Sequence, residues 1–177
     1  MGADTQSTCS GQITRNLNEC GYKVARLSNG MLLGICGRVK AHQLILSRKC
    51  FDIPADTVLD KRYIVKHIIP ALSSIADCMK EEKDTHNVSI DARLLLAWKD
   101  RLFYITNAFE VLECSKYAAI GAGEHFANYA LASIGERDDV NEGLIKALRA
   151  GAYFHSTVSA PFVLIDTRDR EYRRIEG

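Results

Sequence analysis

The sequence predicts an α+β fold of four layers, two antiparallel sheets stacked face to face with a helix pair over each outer face, an αββα sandwich. Three observations carry that expectation. An Asn-Gly pair between two apolar runs opens the chain's ordered pattern, two helix-period stretches then follow one another, and the same succession of strands and paired helices is repeated further on. Regular β-α alternation would have pointed to a doubly wound sheet, and an unbroken series of short strands to an all-β domain; neither is present.

Taken in order, the first twenty residues are polar, and apolar runs at 23–27 and 31–36 flank Ser28-Asn29-Gly30. Asn and Gly both tolerate positive φ, so a hairpin with a tight primed turn is expected there. Val39, Leu44, Ile45 and Leu46 among polar residues predict a helix over 38–50. Ile64, Val65, Ile68, Ile69, Leu72, Ile75, Ala76 and Met79 recur at three- and four-residue steps, which predicts a second helix over 60–80, kinked or divided at Pro70. The charged stretch 80–87 reads as a surface connection. Strands are expected at 93–98, 102–106 and 109–112, the first two joined at Lys99-Asp100. A strand from Tyr117, then Gly121-Ala122-Gly123, leads into an alanine-rich helix to about Ile134. Asp138-Asp139 can cap a further helix reaching about Tyr153, and strands at 162–167 and 171–175 close the chain around Arg168-Asp169.

Composition narrows the function classes. A chain of 177 residues, 47% of them apolar, buries a full core and reads as one domain over 1–177. Lys plus Arg (23) and Asp plus Glu (22) nearly cancel, so no polyanionic partner such as nucleic acid is indicated. The arginines at 168–174 alternate with acidic residues, as on a solvated strand. Six cysteines are spread without a C-x-x-C pair or histidines at zinc-finger spacing, so no metal site is expected, and a reducing compartment with free thiols fits. No apolar run approaches a membrane-spanning length.

The chemistry comes from a resemblance. Gly2-Ala3-Asp4-Thr5-Gln6, then Lys23-Val24-Ala25-Arg26-Leu27, then Gly34-Ile35-Cys36-Gly37 resemble three consecutive blocks of HslV and proteasome β subunits, in the same order and at similar spacing. The run from Tyr117 through Gly121-Ala122-Gly123 to Leu131 is similar to that family's Ile-Gly-Ser-Gly strand and following helix, and 147–156 to its fourth helix. The resemblance covers essentially the whole chain. It implies the N-terminal-nucleophile hydrolase fold and peptide-bond hydrolysis by an N-terminal threonine. It also implies a cytoplasmic homo-oligomeric ring that takes polypeptide substrates, works with an ATPase unfoldase and needs no cofactor.

A threonine hydroxyl attacks an amide only if a base takes its proton and a donor stabilises the oxyanion. The terminal α-amine, titrating near neutrality, can be the base. By the resemblance, Lys23 is the ammonium beside the threonine, Asp4 the carboxylate that orients it and keeps it charged, and the Gly37 amide the oxyanion donor. The departures are as informative. In active relatives about a dozen residues precede the Gly-x-Asp block and carry the nucleophile, whereas here only Met1 precedes Gly2, and Thr5 and Cys9 have amide α-nitrogens, so the nucleophilic threonine is absent and the chain as written is expected to be inactive. Ala122 stands where the family has serine, and His155 where proteasome β subunits carry an aspartate. A truncated reading of an active gene and a degenerate subunit that keeps the fold both fit. The first is the more physical, since a strand lost from within a sheet leaves buried backbone groups unpaired.

Blander readings stand beside these. Lys23 alone reads as a surface lysine, Asp4 as a turn cap and Gly37 as a strand-to-helix turn. The five histidines show no ligand spacing. Gly121-Ala122-Gly123 raises phosphate or nucleotide binding at a helix N-terminus, but Phe126 replaces the third glycine that a dinucleotide motif needs. The apolar helix stripes serve a core or ring contacts equally well.

Overall fold

The computed structural model describes residues 1–9, 12–14, 23–54, 56–79, 89–135, 138–167 and 171–177. The expected surface connection at 80–87 and the turn at Arg168-Asp169 lie outside them. In chain order the strands are β1 (Gly2–Asp4), β2 (Ser7–Cys9), β3 (Gln12–Thr14), β4 (Val24–Arg26), β5 (Leu32–Gly37), β6 (Ala92–Trp98), β7 (Arg101–Ile105), β8 (Val111–Cys114), β9 (Phe162–Leu164) and β10 (Arg173–Ile175). The α-helices are α1 (Val39–Leu46), α2 (Lys61–Tyr63), α3 (Ile69–Met79), α4 (Glu124–Ala132) and α5 (Val140–Phe154). Strands β4 to β8 form an antiparallel five-stranded meander, and β1, β9 and β10 a three-stranded antiparallel sheet in the order β1-β9-β10. The backbones of β2 and β3 pair as a small separate ribbon. Two antiparallel sheets with helices on their outer faces are the α+β sandwich that the sequence predicts.

Alternation along the strands builds the layers. Leu33, Ile35, Leu94, Leu96, Trp98, Phe103 and Ile105 point to one side of the five-stranded sheet, where they meet Ala41, Ile45, Ile68, Leu72 and Ile75 from the helices. The opposite face brings Val24 and Leu32 against Val163 and Ile165, with Met1, Ala3 and Ala97 around them. Beyond the second sheet lie α4 and α5, packed on each other, with α5 also touching β1 and β9. Where the two helices meet, a Cβ on Gly123 would come within 3.0 Å of the Gly151 backbone, a closeness that the two glycines permit.

Several local expectations are corrected. The turn before β5 is a three-residue loop: Leu27 N–H donates to Met31 O, Gly30 alone takes positive φ (+87°), and Asn29 Oδ1 accepts from Met31 N–H. Helix α1 stops at Leu46, and Lys49–Phe51 forms a separate 3₁₀ turn. Pro70 does not divide the second helical stretch. A π-helical segment, Ile64–Ile68, precedes it and α3 continues through the proline, the wider turn making room where the ring has no N–H to give. The third strand of the central group begins at Val111, because Phe109 sits in the turn with φ +66°. The closing strands are shorter than expected, although they pair as foreseen. Residues 117–120 are not a strand: among the described residues they pair with no neighbouring strand.

Candidate active site

The β4–β5 hairpin and the end of β1 converge on one place. Lys23 sits one residue before β4, and its carbonyl accepts from Ile35 N–H at 2.7 Å, so it is fastened two residues short of Gly37 at the end of β5. Asp4 closes β1. Lys23 Nζ donates to Asp4 Oδ1 and Oδ2 at 2.9 and 2.8 Å and to the Gln6 carbonyl, which uses all three of its protons. Gln6 N–H donates to Asp4 Oδ2 at 3.1 Å, so both charged groups are held by one backbone turn. The side chains are 26% and 14% exposed, intermediate between a surface pair and a buried one. The spacing read from the sequence brings Asp4 and Lys23 into contact.

Gly37 lies on the same cleft wall, with φ +130°. A Cβ there would stand 2.2 Å from Asp91 O and 2.7 Å from Ala92 Cα, so no other residue fits without moving the β5–β6 backbone. The cleft has a volume of about 1110 Å³, at the upper end for small-molecule sites. It is lined by residues of β1, the five-stranded sheet, the segment 117–123 and helices α4 and α5.

Ala122 lines the cleft next to Gly121, whose φ is +108°. His155 caps the C-terminus of α5; its Nδ1 accepts from Thr157 N–H at 3.3 Å and lies 2.8 Å from Thr157 Oγ1. The wall beside it is made by Thr157 and Val158. Gly121-Ala122-Gly123 does precede a helix N-terminus, but Glu124 in the first turn already brings a negative charge to that end, where it pairs with Arg93 at 2.6 Å. The segment before it belongs to no parallel crossover.

Sequence reasoning missed a second charged pair on the cleft. Arg93, opposite Cys36 in the β5–β6 register, reaches Glu124 Oε2 at 2.6 Å and so ties the central sheet to α4. Burial works against the Arg93 charge, but hydrogen bonds to Glu124 and Tyr104 outweigh it and raise its pKa. Burial pushes the Cys36 thiol up, with Arg93 pulling the other way. A lone Arg in a strand pattern signalled nothing of this. Gln6 was likewise visible only as a polar residue after Asp4, yet it is 2% exposed, and its Nε2 donates to Ser156 O at 3.3 Å. The Met1 amine, its pKa lowered by burial despite Asp166, donates to Ile165 O at 2.7 Å, about 10 Å along β1 from Asp4.

No protein-family model and no curated protein sequence matches the chain. Solved structures do. BPH from Thiobacillus denitrificans is similar at 20% identity with a TM-score of 0.72 over 99% of this chain and 90% of its own. The Anbu ancestral beta-subunit from Yersinia bercovieri is similar at 17% identity and 0.65, over 99% and 81%. Eukaryotic HslV from Trypanosoma brucei matches at 15% identity and 0.64, over 99% and 92%. The chain therefore has, over almost its whole length, the HslV- and Anbu-like proteasome-type fold that its sequence blocks resembled.

Proposed function

We propose that this chain is a subunit of a proteasome- or HslV-like threonine-type endopeptidase, acting as a homo-oligomer on polypeptide substrates. The observation that carries the proposal is the Lys23–Asp4 pair, joined by three hydrogen bonds to Gln6 and Asp4 oxygens and facing the same cleft as Gly37. An ammonium held in place beside a position-fixed glycine is what an N-terminal nucleophile requires. The nucleophile itself would be borne by a strand upstream of Met1. Its α-amine takes the hydroxyl proton as the oxygen attacks the substrate carbonyl. The Gly37 N–H receives the oxyanion, the amine returns the proton to the leaving nitrogen, and water then hydrolyses the ester. Lys23 favours the developing negative charge, and Asp4 keeps Lys23 protonated and in place. No cofactor enters this chemistry.

Lys23→Ala in the native gene product is the test. Turnover of fluorogenic peptides is expected to disappear while ring assembly persists, and retained turnover would remove this mechanism. Assembly has its own check: light scattering behind size-exclusion chromatography should report an oligomer at micromolar concentration, and a folded monomer would contradict it. A cytoplasmic location and an ATPase partner go with the reading.

A second reading, a non-catalytic assembly subunit, is favoured by Ala122 in place of a hydroxyl residue and by the absence of His155 from the cleft wall beside Thr157 and Val158. Under that reading the Lys23–Asp4 pair is structural, and no native form of the protein hydrolyses peptides. Phosphate binding at Gly121 to Gly123 is the remote alternative, disfavoured by Glu124.

A further inference from the structure

The charged side chains around the cleft cancel in pairs, with one exception among the described residues. Asp4 and Lys23 stand 2.8 Å apart at the end of β1. Arg38 and Asp91 stand 2.7 Å apart where Gly37 leads into α1, and the Arg38 backbone N–H also donates to Asp91 O at 3.0 Å. Arg93 and Glu124 meet at 2.6 Å between β6 and α4. All six line the cleft, and so does Lys40, whose exposed side chain makes no hydrogen bond or ion pair among the described residues. The field of two opposite charges in contact falls off steeply with distance. An unpaired ammonium keeps its reach out to the screening length, about 8 Å at physiological ionic strength. A molecule entering the cleft therefore meets a net positive field, and its source is Lys40.

Its place gives that charge a use. Lys40 is the second residue of α1 and stands three positions after Gly37. With the substrate carbonyl oxygen on the Gly37 N–H, as in the reading above, the side chain of the residue bearing that carbonyl lies beside the turn from β5 into α1. Val39 there is 46% exposed and lines the cleft, so it offers apolar surface to the methylenes of an entering side chain. Lys40, on its flexible stem, brings an ammonium to the end of that side chain. Arg38 is a poorer partner, because Asp91 already takes its guanidinium. We propose that Lys40 is a specificity-determining residue, selecting peptides with glutamate or aspartate at the residue whose carbonyl faces Gly37. The inference rests on the peptidase reading and deepens it by naming a substrate class, acidic peptides. Lysine or arginine at the same place meets a like charge and is disfavoured. The preference is modest, since a single solvent-facing ion pair changes an affinity by about twofold to fivefold.

The test reads binding rather than turnover, so it needs no nucleophile. Three end-capped, fluorescein-labelled peptides share one apolar sequence and differ at a central residue that is Glu, Gln or Lys. Each is titrated with the full chain and followed by fluorescence anisotropy. The Glu peptide is expected to bind about threefold tighter than the Gln peptide and about tenfold tighter than the Lys peptide, with both gaps closing in high salt. Lys40→Met should level the Glu and Gln peptides, and Lys40→Glu should reverse the order. A glutamate in the first turn suits the helix dipole, so Lys40→Glu should match the parent in circular dichroism and Tm. Lys49→Glu, the same charge change at an exposed position outside the cleft lining, should leave the order as it was. Equal affinities, no binding of any of the three peptides, an order unmoved by both Lys40 variants, or one moved equally by Lys49→Glu would overturn the inference. Its failure is separable from that of the peptidase reading. A native chain without a nucleophile removes the peptidase and leaves the order of affinities in place, whereas a nucleophile-bearing chain that binds all three peptides equally keeps the peptidase and loses the acidic preference.

Discussion

On one side of the five-stranded sheet Met31, Leu33, Ile45, Ile64, Ile68, Leu72, Ile75, Leu94 and Phe103 are all sealed from solvent. On the other side the buried cluster is Val24, Leu32, Val163 and Ile165, and beyond it the layer opens into the cleft. The same strands make both faces, so the difference lies in what covers them. A continuous helix layer covers the first, while the second meets a sheet whose edge strand β1 has one neighbour. The half that packs densely holds the fold together, and the half that packs sparsely holds the charged pair and the cleft. Of the residues proposed for the chemistry, Lys23 and Gly37 sit at strand ends of the five-stranded sheet and Asp4 at the end of the edge strand β1, all facing the cleft.

That contrast can be broken most strongly in the dense half. Phe103→Ala should cost about 3–5 kcal/mol in denaturant unfolding, whereas Ile165→Ala, beside the open layer, should fall near the lower limit for its type, about 2 kcal/mol. Equal costs would mean that the two halves are packed alike. Gly37→Ala should cost about 3 kcal/mol, because the new methyl meets Asp91 O and the backbone sits in a region that L-residues avoid. A thermal shift of less than a degree would show that β5 and β6 can separate freely at that point. Lys23→Met should cost about 1–2 kcal/mol, since it leaves Asp4 hydrogen-bonded to Gln6 N–H but without its counter-charge. The companion Asp4→Asn, Lys23→Met double variant should recover part of that loss.

The smallest effect concerns two thiols. Burial pushes Cys50, beside the dense core, up to about 11, and Cys36 is raised too but lines the cleft next to Arg93. The folded state holds the Cys50 proton above the pH at which the unfolded chain releases it. Stability should therefore fall as pH rises from about 9 toward 11, and be independent of this group at neutral pH. Mass spectrometry after brief alkylation at pH 9 should show Cys36 modified ahead of Cys50. The reverse order would mean that the cleft is closed in solution.

The helices and the central meander were legible in the sequence because periodicity reports burial directly: Ile64, Ile68, Leu72 and Ile75 lie one helical turn apart and are all fully buried. Asp139 was legible as a cap, and its carboxylate does accept from Asn141 and Glu142 N–H groups. Asp4, Lys23 and Gly37 were readable only jointly, through block order, since each alone has an ordinary structural reading. The segment 117–120 was misread as a strand because its composition suits one; pairing depends on a neighbour, which local sequence does not report. Arg93 and Glu124 are thirty-one positions apart, and only the β5–β6 register and the placement of α4 bring them to 2.6 Å. The π turn before Pro70 was equally hidden, because propensity marks where a proline disturbs a helix and not how the helix absorbs it.

The most direct test of the account is the intact mass and N-terminal sequence of the protein expressed from its native gene with the upstream DNA included. The account predicts a mature chain that begins with threonine, or another hydroxyl or thiol residue, about a dozen residues before Asp4, so that its first residue reaches the Lys23 end of the cleft. A mature chain beginning at Met1 or Gly2 would contradict it and leave the Lys23–Asp4 pair as part of a subunit that assembles without cutting.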